Sequence, residues 1–361
     1  MPHLSGLDEL VTAIGAAYEA ALQAPLDSRV ALRIRGGGSK DFYGGMLAGE
    51  VLDVGAYRGI VAYEPTELYI TARCGTPLAE IEAALAERGQ MLAFEPPHFD
   101  MATLGGCVAA GLSGPRRLQA GAVRDFVLGV KLIDGTGQVL DFGGQVMKNV
   151  AGYDVSRLLA GSLGTLGVLA EVTLKVLPKP VAERTLVFAI DEAGAIARLN
   201  QWAGQPLPIS ASFWHEGKLW LRLSGARAAV AAASDKLGGT AVADGERHWL
   251  AVREQTHQAF AGTPLWRLAL PSTTPALGLD GLCSIEWGGA LRWYAGEGDG
   301  VRELAAKAGG HAVLYRAAES LRCLEGAFAP LAPPLLALHR RLKKRFDPLG
   351  ILNPGRLYAE L

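Results

Sequence analysis

Several features that define other classes of protein are missing from this sequence. The four cysteines, Cys74, Cys107, Cys283 and Cys323, form no C-x-x-C pair, so neither a zinc knuckle nor an iron–sulfur site is encoded. Acidic and basic residues nearly balance, 36 against 35, which argues against nucleic acid as a partner. No apolar run approaches the roughly 18 residues needed to span a bilayer. The opening residues "MPHLSGLDEL" lack the basic and apolar segments of a signal peptide, so we expect a cytoplasmic protein.

The two common phosphate-binding fingerprints are absent as well, since neither G-x-x-x-x-G-K-[ST] nor G-x-G-x-x-G occurs. Instead, three glycines in "RIRGGGSKDF" (33–42) follow an apolar run. Glycine at a strand end permits positive φ or close backbone approach, and free N–H groups beside Arg35 and Lys40 suit a phosphate. We therefore expect Gly37 to adopt a positive φ, and Gly37→Asp to abolish binding without unfolding the protein. A glycine-rich turn beside two solvated charges is the alternative.

Two further glycine-rich stretches lie in the same half of the sequence. They are "ATLGGCVAAGLSGPRR" (102–117) and "KNVAGYDVSRLLAGSLGTLGVL" (148–169). Small residues in such numbers let the backbone approach a large, flat, multiply charged ligand, and FAD fits that description. Tight packing of a sheet against helices through glycine is the alternative for any one stretch.

The order of apolar runs predicts two structural units. Before Pro178 we expect an opening helix, short strands, a helix after Pro77, a hairpin around 135–138 and a long strand at 166–177. From about residue 184, a strand, a helix, two strands, a helix and a strand follow, and then a second, looser set. Two such sets indicate one open antiparallel sheet with helices on a face. Pro178 and Pro180 break the pattern and mark the boundary.

The tail from Pro333 differs from both units. Leu335, Leu338, Leu342 and Phe346 recur at helical spacing. A basic cluster surrounds this apolar stripe and consists of Arg340, Arg341, Lys343, Lys344 and Arg345. A solvated helix face is the simpler interpretation, and docking to an acidic partner or a membrane surface is the other.

Five motifs in a fixed order resemble a known family: "RGGGSK", "GIVAYEPTELYITARCGTPLAEIEAAL", "ATLGGCVAAGLSGPRR", "KNVAGYDVSRLLAGSLGTLGVLAEVTLKVLPKP" and "RFDPLGILNPGRLY". They are similar to the FAD-binding domain of the vanillyl-alcohol-oxidase/p-cresol-methylhydroxylase type, and within it to FAD-binding subunits of bacterial glycolate oxidases. The resemblance covers roughly residues 30–180 and 330–361. It implies an α+β fold with a two-sub-domain FAD-binding domain at 1–180, an antiparallel-sheet α+β cap domain at 181–330 and a C-terminal return at 331–361.

The resemblance also implies a site for FAD, which we expect to be bound non-covalently. The pyrophosphate loop would consist of Arg35, Gly36, Gly37, Gly38, Ser39 and Lys40. The ribityl and diphosphate side would be lined by Thr103, Gly105, Gly106, Ala109, Gly111 and Ser113. The residues beside the polar edge of the flavin would be Gly164, Gly167 and Val168. The tail motif that folds back near the ring contains Asn353 and Pro354.

Two departures from the family pattern bear on activity. Related catalytic subunits read G-S-E-G-T-L-G where this sequence has Leu163, and they carry a histidine-rich motif around G-D-G-N where it has only "GEGDGVR" (296–302). The resemblance therefore implies an FAD-dependent oxidoreductase that is the electron-transferring subunit of a glycolate oxidase complex oxidising a 2-hydroxy acid to its oxo acid. Its partners would be a second FAD-containing catalytic subunit and an iron–sulfur subunit, with peripheral attachment to the inner face of the membrane through them. A self-sufficient FAD-dependent 2-hydroxy-acid dehydrogenase and a structural subunit that has lost FAD are the alternatives.

A few other residues are candidates for chemistry. His98 in "EPPHFD" precedes the second glycine-rich stretch and is a conceivable active-site residue, although loop histidines are more often structural. No two histidines stand at i, i+4 spacing, so no helical metal site is predicted. We expect Cys107 to be a small buried hydrophobic residue, and Trp287 and Trp293 to belong to the core of the cap.

Overall fold

The computed structural model describes residues 4–144 and 154–361, so residues 148–153 of the third glycine-rich stretch lie outside the described residues. Its helices are α1 (Leu7–Gln23), α2 (Leu78–Ala86), α3 (Leu104–Ala110), α4 (Arg117–Ala120), α5 (Val155–Leu158), α6 (Glu192–Ala203), α7 (Arg227–Leu237), α8 (Gly245–Arg253), α9 (Val301–Lys307), α10 (Glu319–Glu325) and α11 (Pro333–Phe346). Its first nine strands are β1 (Leu32–Arg35), β2 (Glu50–Asp53), β3 (Ile60–Glu64), β4 (Tyr69–Arg73), β5 (Gln90–Met91), β6 (Val127–Ile133), β7 (Val139–Gly143), β8 (Val168–Lys175) and β9 (Leu177–Pro178). The remaining strands are β10 (Ala182–Ala189), β11 (Ile209–His215), β12 (Lys218–Gly225), β13 (Thr240–Val242), β14 (Leu265–Ala269), β15 (Leu282–Glu286), β16 (Leu291–Ala295) and β17 (His311–Arg316).

The first unit contains two small sub-domains that share strand β8. In one, α1 packs Leu10 and Ile14 against the parallel pair β1–β2, and in the other β3, β4, β8, β6 and β7 form an antiparallel sheet in that order. Successive side chains of a strand point to opposite faces. Val168 of β8 accordingly packs into the core of α1, while Leu169 packs into the core under α2 and α3. The opening helix, the long strand and the β6–β7 hairpin are confirmed.

The second unit is one eight-stranded antiparallel sheet, in the order β13-β10-β12-β11-β15-β16-β14-β17. The two sets expected from the sequence meet where β11 pairs with β15. Helices α6, α7 and α9 cover one face, and the other face, with Phe213 and Trp293, packs against Tyr43 and Leu163 of the first unit. All eight strands lie between residues 182 and 316, and the division near residue 180 stays a prediction.

A ring of charged side chains joins the two units. Glu95 of the first unit accepts from Arg116 Nε (3.3 Å) and from Arg222 Nη2 of the second (2.8 Å). Arg116 also donates to Glu183, which accepts from the Ser224 hydroxyl (2.7 Å). Burial pushes the pKa of Glu95 upward, but Arg222 and Arg116 outweigh burial and hold this pKa below its ordinary value. The carboxylate is therefore ionised at neutral pH and fixes the cap on the first unit.

The tail returns to the first unit, and one of its lysines, predicted to be exposed, is buried there. Lys343, assigned from the sequence to the basic surface cluster, is only 7% exposed, and its ammonium donates to the carbonyls of Thr165 (2.8 Å) and Leu352 (2.6 Å) and to Asp347 (2.8 Å). The predicted apolar stripe is only partly buried, because Leu342 packs on the core while Leu335 is exposed. Lys343 of α11 points into the protein because its ammonium pairs with carbonyls that would otherwise be buried without a partner.

No helix within residues 4–144 and 154–361 has both the length and the hydropathy needed to cross a membrane.

The tail clamp can be tested with the variant Lys343→Met. Asp347 is 1% exposed, so the variant leaves a buried carboxylate without its counter-charge. Breaking a buried pair in this way costs about 3 kcal/mol or more of unfolding free energy, which urea titration measures. The exposed neighbour provides a matched control, because Lys344→Met should change stability by less than about 0.5 kcal/mol. Equal losses in the two variants would contradict the clamp.

Candidate functional site

The loop that follows β1 presents an unusual run of free backbone donors. In the part of the chain that the structure describes, none of the amide N–H groups of Gly36, Gly37, Gly38 and Ser39 has an acceptor in the protein. Successive free N–H groups form a concave nest that suits an anion. These four residues line an open cavity of about 800 Å³, its solvent-filled mouth included, so the nest is available to a ligand there.

The structure contradicts the positive φ that we predicted for Gly37. Of the three glycines, Gly38 has the positive φ, +71°. A Cβ on Gly37 would instead overlap the backbone carbonyl of Met101, and one on Gly36 would overlap the Thr103 hydroxyl. The glycines thus let this loop lie against the second glycine-rich stretch. Gly37→Asp would displace the loop itself, so it is not a variant that removes the anion site and leaves the fold unchanged.

The second stretch forms α3 and its flanks. Thr103 caps the helix by accepting from Gly106 N (3.4 Å), and a Cβ on Gly105 would lie 2.7 Å from Cys74 Cβ. The helix ends at Gly111, which is left-handed with φ +69° and lies against Gly161. Small residues therefore bring α3 close to β4 and to the third stretch, and the packing alternative explains part of the pattern.

The third stretch and the tail are joined by one side-chain amide. Asn353 Oδ1 accepts from Ile34 N (2.8 Å), and its Nδ2 donates to the carbonyl of Leu163 (2.6 Å). Asn353 thus uses its polar atoms on the protein backbone while it lines the cavity. Gly164, beside it, has φ +75°, and a Cβ there would lie 2.6 Å from Asn353 Nδ2.

The cavity gathers most of the residues that the sequence assigned to the cofactor. Its lining includes Arg35, Gly36, Gly37, Gly38, Ser39, Lys40, Thr103, Gly105, Gly106, Ala109, Gly164, Gly167 and Asn353. The other three do not line it: Gly111 ends α3, Ser113 accepts from Val123 N (3.0 Å) and Val168 is fully buried in the core of α1. That the lining residues contact FAD stays a prediction.

The cavity wall carries an excess of positive charge. Lys40 Nζ is bonded only to Ser39 Oγ (3.2 Å) within the described residues, and burial lowers its pKa. Arg33 also lines the cavity, and its buried Nε has no partner. Among the described residues, Asp41 is the one acid in the lining, and it is paired with Arg35 (3.1 Å). Unpaired donors and cations around one cavity are what a diphosphate needs, so the residues present fit the predicted cofactor.

Sequence reasoning missed several lining residues. Arg33 could have been found, because in "RIR" it shares a strand face with Arg35. Arg356 lies in the tail, donates to the carbonyls of Lys40, Asp41 and Gly45 and so holds the loop, and burial lowers its pKa to about 10. No local signal identifies it, because its partners lie over 300 residues away in the sequence.

The other candidate residues lie outside the cavity. His98 is held by Glu254, which accepts from its backbone N (3.0 Å), and its ring nitrogen faces Glu82 (3.2 Å). Cys107 is buried as expected, and burial raises its pKa to about 12, so its thiol stays protonated. Trp287 and Trp293 belong to the cap core, as expected. Within the described residues no cluster of side chains could hold a metal ion.

Known proteins share both the sequence and the fold. Residues 15–143, which contain the first two glycine-rich stretches, match a family model described as FAD binding domain. Over 341 residues, 93% of this chain, the sequence is 50% identical to glycolate oxidase subunit GlcE of Escherichia coli strain K12, of which 95% is covered. The chain belongs to the GlcE family of glycolate oxidase subunits. This confirms the family that the five motifs indicated, the cofactor FAD and the oxidoreductase class.

More distant proteins share parts of this GlcE-family chain or its fold. Glycolate oxidase subunit GlcD of Bacillus subtilis strain 168 is 32% identical over 139 residues, which are 38% of this chain and 30% of that protein. A solved structure of p-cresol methylhydroxylase with substrate bound matches with a TM-score of 0.72 and 14% identity, over 99% of this chain and 88% of that one. Alkyldihydroxyacetonephosphate synthase matches with a TM-score of 0.64 and 15% identity, over 98% and 75%. These two likenesses confirm the predicted fold class.

The anion site can be tested with the variant Lys40→Met. The variant removes a charged donor from the cavity wall, and a hydrogen bond to a charged group contributes about 1.5–3 kcal/mol. FAD affinity should therefore fall roughly 10- to 150-fold, measured by fluorescence titration of the cofactor-free protein. Lys218→Met, at an exposed position of the cap, should bind FAD like the unchanged protein. Unchanged affinity in Lys40→Met would show that the diphosphate lies elsewhere.

Proposed function

We propose that this chain is the electron-transferring FAD subunit of a glycolate oxidase complex that oxidises glycolate to glyoxylate. The observation that carries the proposal is an asymmetry in the cavity. Its wall offers free N–H groups and unpaired cations for a diphosphate, but its lining contains no histidine and no unpaired carboxylate among the described residues. Such a site holds a flavin without a base positioned beside it for a substrate hydroxyl.

Each group in the site has a task that does not require substrate. The Gly36–Ser39 amides and Lys40 would hold the diphosphate, and Arg356 fixes the loop that carries them. Apolar Val54, Leu163 and Leu169 would exclude water from the flat part of the cofactor. Bound FAD supplies the capacity to accept and release electrons, while the protein supplies binding and orientation.

The proposed partners would supply the groups for which this sequence has no motif. The four cysteines of the sequence lie in no cluster motif, so the iron–sulfur centre would belong to another subunit. A second FAD-containing subunit would oxidise glycolate and pass electrons to this one, with the assembly in the cytoplasm or peripheral on the inner membrane face. The unpaired N–H nest supports a chain that retains FAD over a structural subunit that has lost it.

Non-covalent binding of FAD is the first consequence to test. Among the described residues, the lining contains no histidine or tyrosine, and burial raises the pKa of its cysteine, Cys74, well above the ordinary range. The thiol is therefore a poor nucleophile. Precipitation with acid should leave the yellow cofactor in the supernatant, and flavin retained in the protein pellet would refute non-covalent binding.

Lack of activity in the isolated subunit is the second consequence. A flavin without a positioned base loses acid–base assistance, which alone contributes roughly 10²–10⁴-fold. The FAD-loaded chain without partners should therefore reduce a dye with glycolate or D-lactate far more slowly than about 1 s⁻¹, a low typical enzyme rate. The reconstituted complex serves as the positive control. Turnover near that rate by the chain alone would favour the self-sufficient dehydrogenase.

A further inference from the structure

The outward side of helix α11 carries a dense positive charge. Its exposed cations, which we call the basic face, are Arg340, Arg341, Lys344 and Arg345. None of the four makes an ion pair or a hydrogen bond within residues 4–144 and 154–361. No acid occurs between Pro333 and Phe346, and Asp347, which follows the helix, is buried and paired with Lys343 (2.8 Å). Within the described part of the chain, the basic face therefore has no direct counter-charge.

The spacing of these cations is unfavourable for the helix itself. Residues four apart on a helix are neighbours, and like charges at that spacing destabilise it. Arg340 and Lys344 form one such pair, and Arg341 and Arg345 form another. The helix dipole favours cations in the last turn, which accounts for Lys344 and Arg345 but not for Arg340 and Arg341. An acidic surface placed against the helix would remove this repulsion.

Two leucines extend the basic face toward the start of the helix. Leu335 is 44% exposed and Leu338 is 43% exposed. Because neighbours on a helix surface stand three or four residues apart, Leu338, Arg341 and Arg345 lie along one line. Protein–protein interfaces combine apolar contacts with a polar and charged rim. The outward side of α11 thus has the composition of an interface.

The anchoring of α11 favours a protein partner over a membrane. Leu342 and Phe346 pack against the core of the first unit, and Lys343 fixes the helix through three acceptors. A helix that lies in a bilayer surface needs a wide apolar face turned toward lipid. In α11 that face is turned inward, and only two partly exposed leucines remain outside. A two-fold contact with a second copy is disfavoured as well, because it would set two basic faces opposite each other.

The helix lies next to the segments that line the cofactor cavity. Lys343 donates to the carbonyl of Thr165 (2.8 Å), which follows Gly164, and to that of Leu352 (2.6 Å), which precedes Asn353. Gly164 and Asn353 both line the cavity. A protein docked on the outward side would be separated from these segments by one helix, about 10 Å across. Since electron transfer slows steeply with distance, this side suits a partner that exchanges electrons with the cofactor.

We propose that the basic face of α11, together with Leu335 and Leu338, docks an acidic surface of a partner subunit. The inference rests on the proposed function, because the partner is another subunit of that complex. Complementary charges speed the encounter of two proteins and make it depend on ionic strength. The two leucines add an apolar contribution that salt does not screen.

The test is the double variant Arg340→Glu/Arg341→Glu of the full-length, FAD-loaded protein, titrated with the partner subunits purified together without this chain. Each glutamate stands four residues before a cation, so the helix gains two favourable pairs and the melting temperature should not fall. Affinity should fall at least about tenfold at about 0.05 M salt, and the difference should shrink at about 0.5 M, where exposed charges are screened.

Two further variants separate charge at this face from other effects. Arg198→Glu/Lys236→Glu makes the same change of net charge at exposed positions of α6 and α7, and this control should bind the partner subunits like the unchanged protein. Leu338→Ser should weaken binding by the same factor at both salt concentrations, because it removes apolar contact and no charge.

The inference is overturned if the Arg340→Glu/Arg341→Glu variant binds the partner subunits as tightly as the unchanged protein at low salt, or if the control variant loses as much affinity. It is also overturned if the double variant differs only in sedimenting less with phosphatidylglycerol vesicles, which would assign the face to a membrane. Absence of binding by the unchanged protein would contradict both the docking surface and the proposed complex. Dye reduction with glycolate by the isolated FAD-loaded protein tests the proposed function separately, because these variants lie outside the cofactor cavity.

Discussion

The geometry of the cofactor cavity depends on the side-chain amide of Asn353. Its two hydrogen bonds, with Ile34 N and with the Leu163 carbonyl, join strand β1, the third glycine-rich stretch and the tail. Asn353 adopts φ +43°, a conformation that asparagine tolerates better than most residues. The buried Lys343–Asp347 pair anchors the same tail, since Asp347 also accepts from Leu352 N (2.7 Å). Contacts between distant segments thus position the loop before any ligand is present.

The glycines of the loop after β1 have two effects, one on packing and one on electrostatics. Without side chains, Gly36 and Gly37 let the loop after β1 lie against Thr103 and Met101, which closes one wall of the cavity. The same loop leaves its amides unpaired and brings Lys40 into a partly buried position. Unpaired donors and a desolvated cation destabilise the empty protein. An anion that pairs with them recovers this free energy, so a diphosphate placed at this loop would bind strongly.

Charges at the junction of the two units fall into two groups. Glu95 pairs with both Arg116 and Arg222, and these contacts fix the cap on the first unit. Arg267 and Glu286, on the cap face that looks toward the first unit, are buried or half-buried but not paired with each other. The first arrangement is stable without a ligand. The second leaves a half-buried cation and a buried carboxyl group that interact without a direct salt bridge.

Local patterns determined much of this protein. Alternation, helical spacing and turn residues are properties of neighbouring residues, so the sequence alone predicted the hairpin and the antiparallel sheet, and the order of five motifs predicted the family and FAD. Only the tertiary structure decided that Lys343 is buried, that Gly37 is required by Met101, that Ser113 and Val168 lie outside the cavity, and that Arg33 and Arg356 belong to it. Burial and pairing depend on segments that are hundreds of residues apart, and no local pattern records which of them meet.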